Sequence, residues 1–233
     1  MQEGQPADQG SMGMVQGALG GPLKPGELGV LVARAGVGKT ACLTHIALEH
    51  LLRGHAVLHV AIDNMPDKIK AWYHEFLKTA AEDLGEEMLK LQYRVEPLRF
   101  ILAYLHNSFS TDKLEQSLEN LKGQAKFAPS MVVLDGLDFD HISRSTIEKF
   151  REIAQRYEFS LWMSAKTHQH IATTNEHGIP YPCNESDDLF NSIVLLEPVS
   201  NSIRVKVLKL NSIYQPESPL VRLNPQTFLI EKE

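Results

Sequence analysis

The chain has 233 residues, 43% of them apolar and 22% charged, with a formal net charge of −6. Length and composition are those of one soluble globular domain, or one domain with a tail, large enough to bury a full core. The negative charge argues against a protein whose main task is to coat nucleic acid, and no apolar run approaches the roughly 20 residues that cross a bilayer.

The opening MQEGQPADQG has no basic cluster followed by an apolar stretch, so no secretory signal is expected. Two cysteines, Cys42 and Cys183, are too few for a disulfide framework, and reduced thiols in the cytoplasm are the simpler expectation. Residues 1–22 are rich in Gly and Gln, which predicts a flexible N-terminal segment ahead of a single domain over 23–233.

Leu23-Lys24-Pro25-Gly26-Glu27 turns the chain into a first strand over 28–32. A loop over 33–38 and a helix from 39 to about 53 follow. Leu43, Ile46, Ala47 and Leu51 recur at helical spacing on that amphipathic helix, with Gly54 placed for a C-terminal cap. A second strand over 56–62 leads to Met65-Pro66-Asp67. There Pro66 suits a first helical turn and Asp67 the positive end of the helix dipole. Ile69, Trp72, Phe76 and Ala80 give this helix a buried stripe, and Trp72, Tyr73 and Phe76 are more simply core than a base-stacking platform.

A strand over 99–104 is followed by Ser110 or Thr111 as a cap and a helix marked by Leu114, Leu118 and Leu121. An apolar strand over 130–134 ends at Asp135. The next helix spans 145 to about 157, with Ser145 and Glu148 in capping-box spacing. A strand over 160–164, a polar stretch over 166–188 and strand-like runs over 192–196, 203–210 and 221–230 complete the chain. Alternating strands and helices predict an α/β fold with a mainly parallel sheet covered on both faces. The closing strands predict an antiparallel extension at one edge.

The chemistry rests on Ala33-Arg34-Ala35-Gly36-Val37-Gly38-Lys39-Thr40, with Ala41 completing the candidate nucleotide-binding stretch. A triphosphate needs converging backbone N–H groups, a helix N-terminus behind them, a lysine for the β- and γ-phosphates and a hydroxyl for Mg²⁺. Gly36 and Gly38 allow close backbone approach, Lys39 and Thr40 supply the other groups, and Ala33 stands where the first glycine is usual. Asp135, at the carboxyl end of an apolar strand, shares the sheet edge with this loop. It is the candidate second Mg²⁺ residue, acting through a water molecule.

Pro25-Gly26-Glu27-Leu28 running into this loop resembles the ATPase core of DnaB-type replicative helicases and KaiC-type clock ATPases, both RecA-like P-loop ATPases. Asp63-Asn64-Met65-Pro66 resembles the helicase Leu-Glu-Met-Ser/Pro segment, and Val205-Lys206-Val207-Leu208-Lys209-Leu210-Asn211 resembles the strand carrying a Lys-x-Arg pair. The resemblance implies a RecA-like fold, ATP and Mg²⁺ as ligands, and a homo-oligomer with its sites between subunits.

Three departures stand out. The glutamate that polarises the attacking water is Asn64 here, and an amide cannot accept a proton. Either the neighbouring Asp63 substitutes or there is no proper base. The Lys-x-Arg pair keeps Lys209 and has Asn211 for the arginine. Lys209 is thus either a finger reaching a neighbouring subunit's γ-phosphate or a solvated residue on an edge strand. Ala165 stands at the sensor position and cannot hydrogen-bond, leaving Lys166 or Thr167 as substitutes or as plain loop residues.

Direct DNA binding is not favoured, because the 166–188 stretch carries Glu176, Glu185, Asp187 and Asp188 and no cation after Lys166. His168, His170, His177 and Cys183 match no standard zinc spacing. The expected protein is an ATP-binding RecA-like ATPase with slow, Mg²⁺-dependent hydrolysis coupled to self-assembly or partner switching. The alternatives are a non-hydrolysing nucleotide-binding scaffold and a DNA-associated ATPase of replication or repair.

Overall fold

The computed structural model describes residues 17, 19, 21–105, 108–168, 171, 173–215 and 221–230. Its elements in chain order begin with β1 (Leu28–Ala33), α1 (Lys39–Leu52), β2 (Val57–Ile62), α2 (Pro66–Leu84), α3 (Met88–Val95), β3 (Arg99–Tyr104) and α4 (Thr111–Gln124). They continue with β4 (Met131–Asp135), α5 (Arg144–Arg156), β5 (Ser160–Lys166), β6 (Ser192–Val199), β7 (Ser202–Leu210), β8 (Ile213–Tyr214) and β9 (Val221–Leu223).

The strands form one sheet in the order β3-β2-β4-β5-β1-β6-β7-β8, with β9 also on β7. Pairing is parallel from β3 through β6, then antiparallel through β7, β8 and β9. Every residue of β1, β2 and β4 is buried, as a parallel sheet covered on both faces requires. One apolar cluster packs α1, α2 and α3 on one face through Leu43, Ile46, Tyr73, Phe76 and Leu91. The other packs α4 and α5 through Leu118, Phe150 and Ile153. Each such side chain contributes about 1.5–3 kcal/mol by leaving water. The expected RecA-like α/β architecture with an antiparallel extension is the one observed.

Several details differ from expectation. Helix α1 is buried from Ala41 to Leu51 on all sides rather than amphipathic. Ile203, Val205, Val207, Leu223 and Phe228 of the antiparallel extension join the cluster that holds it, so its outer face is covered as well. The cap of α5 is Ser143, whose hydroxyl accepts from the Thr146 amide, and Ser145 already lies inside the helix. Helix α3, not expected from the sequence, is eight residues long and buries Leu91 and Val95. The final run is strand only at β9. A turn follows, and Ile230 bridges back to Leu223. Within the 166–188 stretch, Ile179 and Cys183 are fully buried.

The expected flexible segment over 1–22 lies mostly outside the described residues, as does His170. Leu19 is buried in the first cluster. Cys42 and Cys183 are free thiols, and burial pushes Cys42 up to about 12, which keeps it protonated and unreactive. Among the described residues, no helix is long and apolar enough to cross a membrane.

Candidate nucleotide site at the carboxyl edge of the sheet

β1, β4 and β5 are parallel neighbours, so the residues after their last positions meet at one edge. A cavity of about 1040 Å³ opens there. Ala35, Gly36, Gly38, Lys39, Thr40 and Ala41 line it, together with Asp63, Asn64 and Asp135. Ala33, Arg34 and Val37 do not line it.

Gly36 (φ 78°) and Gly38 (φ 103°) both occupy the left-handed region that favours glycine. Gly38 caps α1 without a side-chain hydrogen bond, so the amides of the first turn face the cavity edge unclaimed by a cap. Ala33 tolerates a methyl group because it is the buried last residue of β1. What it gives the site is its carbonyl, which accepts from Lys39 Nζ at 3.1 Å and from the Thr167 amide at 3.0 Å. Lys39 Nζ also donates to the Arg34 carbonyl at 3.0 Å. Burial lowers its pKa, Asp135 works the other way, and Lys166 adds to the lowering.

Thr40 Oγ1 donates to Asp135 Oδ2 at 2.7 Å, and Asn64 Nδ2 donates to the same oxygen at 3.2 Å. Asp135 is almost fully buried. A hydroxyl and a carboxylate in contact beside a lysine form a donor set suited to a hard divalent cation with phosphate oxygens. After Asp135 the chain turns at Gly136 (φ 100°), where a Cβ would lie 2.1 Å from the Ile62 carbonyl oxygen. The Gly136 amide donates to Ser164 Oγ at 2.8 Å, tying β4 to β5. Asp63 is exposed and left-handed at φ 55°, the strained step by which β2 hands over to Asn64.

Lys209 is not in the cavity. Its side chain is buried on β7, with Nζ donating to the Asp187 carbonyl at 2.9 Å and lying 4.9 Å from the Tyr214 ring centre. It is therefore not a solvated edge residue, because β8 pairs with this end of β7 and sets Tyr214 opposite Lys209. Ala165 is buried in the second apolar cluster, and its neighbours Ser164 and Lys166 are the β5 residues that line the cavity.

Sequence reasoning missed the aromatic side of the cavity. Trp72 is only half-buried and lines it with Phe228, the rings meeting edge-on at 5.2 Å. Tyr73 and Phe76 are core, as expected. Phe228 comes from the C-terminal turn, where the Asn224 side chain accepts from the amides of Gln226 and Thr227. An Asn at such a turn is visible in sequence, but its position over the phosphate loop is not. Asp138, Asp140 and His141 also line the cavity. His141 bonds Asp138 at 2.6 Å, which raises its pKa, and His168 bonds Asp140 at 2.6 Å. Among the described residues, no three His, Cys, Asp or Glu side chains converge as a metal site.

No curated protein matches the chain. The protein-family model of the AAA domain matches residues 11–165, which takes in β1 through nearly all of β5 and about two thirds of the chain. The phosphate loop on β1, the aspartate on β4 and the parallel sheet that brings them together lie inside that match, and the chain belongs to the AAA domain family of ATP-binding P-loop ATPases.

Proposed function

We propose that the chain binds ATP with Mg²⁺ in this cavity and hydrolyses it slowly, with the nucleotide state governing its contacts with other subunits or partners. Lys39 and the first-turn amides of α1 neutralise the β- and γ-phosphates. Thr40 and Asp135 hold the cation, and the rings of Trp72 and Phe228 offer the base an apolar contact. Mg²⁺, when bound, offsets charge on the phosphate oxygens. The observation that carries this is the 2.7 Å bond from Thr40 to Asp135, across 95 residues of sequence and beside Lys39.

Slow turnover follows from Asn64, which occupies the place of the expected base. Asp63 remains the nearest carboxylate in sequence, on a strained backbone. A non-hydrolysing scaffold is the second reading, favoured by the hydrogen bond that commits the Asn64 amide to Asp135. The likeness to DnaB-type and KaiC-type ATPases, and a homo-oligomer with it, is part of the proposal. To serve a neighbouring subunit, Lys209 would have to leave the Asp187 carbonyl. Direct DNA binding is not favoured, since Arg144 near the acidic stretch is already paired with Asp188.

The test is ATP binding and hydrolysis by the purified chain with Mg²⁺, with and without single-stranded DNA, beside Lys39→Ala. Turnover lost in the variant supports an ATPase. Tight binding without turnover supports the scaffold, and stimulation by DNA that fades with salt supports the DNA-associated reading. Absence of nucleotide binding rejects all three.

A further inference from the structure

The carboxylates and imidazole that line the cavity belong to Asp63, Asp135, Asp138, Asp140 and His141. Asp135 is the cation carboxylate and accepts from both Thr40 and Asn64. Asp63 stands on the exposed, strained step after β2. Asp140 Oδ2 lies 2.6 Å from His168 Nε2, and the Tyr181 hydroxyl bonds the same carboxylate. His141 supplies the one imidazole in this set, and the loop between β4 and α5 holds it in a defined way.

Asp138 Oδ1 accepts from the Asp140 amide at 3.2 Å, and its Oδ2 meets His141 Nδ1 at 2.6 Å, so both oxygens are engaged. An ionised carboxylate brings no proton, so the hydrogen in that contact sits on Nδ1. In the neutral ring Nε2 then carries the lone pair. Nε2 has no hydrogen-bond partner among the described residues. The His141 side chain is 81% exposed, so a proton taken up there passes directly to solvent. The same loop begins at Asp135 and is tied to β5 through the Gly136 amide and Ser164 Oγ, which anchors it beside the cation carboxylate. A carboxylate that fixes the tautomer of an imidazole and stabilises its protonated form is the usual way a histidine is prepared as a base.

We propose that His141 is the general base of the slow hydrolysis and that Asp138 positions it. Nε2 takes a proton from the attacking water as the water oxygen bonds to the γ-phosphorus. The bond from that phosphorus to the β,γ-bridging oxygen breaks, ADP and phosphate leave, and the proton passes from Nε2 to solvent. An imidazole suits this step better than the neighbouring carboxylates, because its pKa lies near neutral pH.

The inference rests on the hydrolysis reading and adds a pH signature. Turnover rises as His141 loses its proton and levels off above its pKa. The hydrogen bond to Asp138 and that residue's charge raise this pKa from the ordinary 6.5, slight burial lowers it, and Asp140 raises it further. Across the cavity the ring faces Lys39, Lys68, Lys166, Asp63 and Asp135. His141 and Asp138 also line a second cavity of about 180 Å³ against α4 and α5, where Ser110, Thr111 and Thr146 are uncharged.

The experiment follows single-turnover hydrolysis by the full chain in excess over ATP with Mg²⁺, from about pH 5.5 to 9, a range that brackets an imidazole. It compares wild type, His141→Ala and Asp138→Asn, with Lys39→Ala as the blank, and calorimetry with the β,γ-imido analogue of ATP gives affinity. His141→Ala is expected to lose about 10²-fold in rate together with the rise in pH, while its affinity stays within about 2-fold of wild type. Asp138→Asn keeps a rise but moves its midpoint down towards 6.5. A wild-type rate independent of pH, or a His141→Ala rate and profile like wild type, overturns the inference. So does a rate loss that keeps the rise, or one matched by an equal loss of affinity, since either marks a structural role. An unmoved midpoint in Asp138→Asn overturns the role given to Asp138. A wild type that binds the analogue but turns over no faster than the Lys39→Ala blank overturns the hydrolysis reading and the inference with it, and one that binds nothing overturns the site.

Discussion

Asn64 Nδ2 donates to Asp135 Oδ2 at 3.2 Å, on the same oxygen that Thr40 Oγ1 reaches at 2.7 Å. The residue at the position of the expected base is therefore held as a donor to the cation carboxylate and has no basic atom to offer a water molecule. Replacing it with a carboxylate supplies one. Asn64→Glu is expected to raise kcat by about 10²-fold or more, the usual worth of a positioned general base. A second carboxylate beside Asp135 also repels it, so the variant should melt lower than wild type without Mg²⁺ and gain more from its addition. Steady-state hydrolysis and melting curves with and without Mg²⁺ check both. A variant that binds ATP normally but turns over no faster would show that proton acceptance is not what limits the site.

Gly38 and Phe228 are locked together. A Cβ on Gly38 would lie 1.8 Å from Phe228 Cε1, and Gly38 sits at φ 103°. Gly38→Ala therefore meets a steric overlap and a backbone penalty at once, and should abolish ATP binding and cost at least about 2 kcal/mol of stability. Removing the ring in the same background, as Gly38→Ala/Phe228→Ala, relieves the overlap and leaves the backbone strain of about 1–2 kcal/mol. Denaturant unfolding of the four chains in this cycle measures the coupling. Additive losses would mean that the aromatic ring does not press on the phosphate loop.

What was legible beforehand follows from how far the determining contacts reach. Thr40 and Asp135 could be paired from sequence because each ends or follows an apolar strand of a parallel sheet, and the carboxyl ends of such strands share one edge. The glycines of the loop were legible for the same local reason. Phe228 was not, because its place depends on a C-terminal turn folding back across α1, a contact with no periodicity behind it. Neither expectation for Lys209, a finger to a neighbouring subunit or a solvated edge residue, includes its burial, because the pairing of β8 with the end of β7 is not visible in the sequence. Helix α3 is not legible because eight residues are too few for an apolar repeat to stand out from its neighbours.

The burial of Lys209 separates two roles for it. Its amine holds the Asp187 carbonyl and lies against the Tyr214 ring, while Tyr214 donates to Asp187 Oδ2 at 2.6 Å. Burial lowers its pKa, with Asp187 and Asp188 acting in the opposite direction. Lys209→Ala leaves the Asp187 carbonyl without this donor, which should cost about 1–3 kcal/mol and lower the melting temperature. Turnover per site should change little at temperatures where the variant is folded. A group acting across a subunit boundary would behave the other way, with stability kept and turnover lost. Melting curves and kcat on one preparation decide between the two.

Acid should unfold the protein through histidines held neutral inside it. Burial is the largest cause that pushes both His50 and His59 down to about 4 from the ordinary 6.5. His59 is fully enclosed, its Nδ1 3.2 Å from the Tyr73 hydroxyl, and its Nε2 has no hydrogen-bond partner among the described residues, so an added proton there would be unsolvated. His50 shares Nε2 with Ser130 Oγ at 2.9 Å. Because the folded pKa lies below the unfolded one, the unfolded chain binds more protons between the two values. The stability these residues hold is complete above about pH 6.5 and is lost as pH falls towards 4. A depression of this size corresponds to something on the order of 3 kcal/mol for each histidine at the acid end. His59→Asn, which keeps a polar atom near the Tyr73 hydroxyl, and His50→Gln, which keeps one near Ser130, should each flatten the fall in unfolding free energy between pH 7 and 4. Denaturant midpoints across that range measure it. Unchanged slopes in both variants would place the acid sensitivity in the carboxylates, where stability falls only as pH drops through their own lower range.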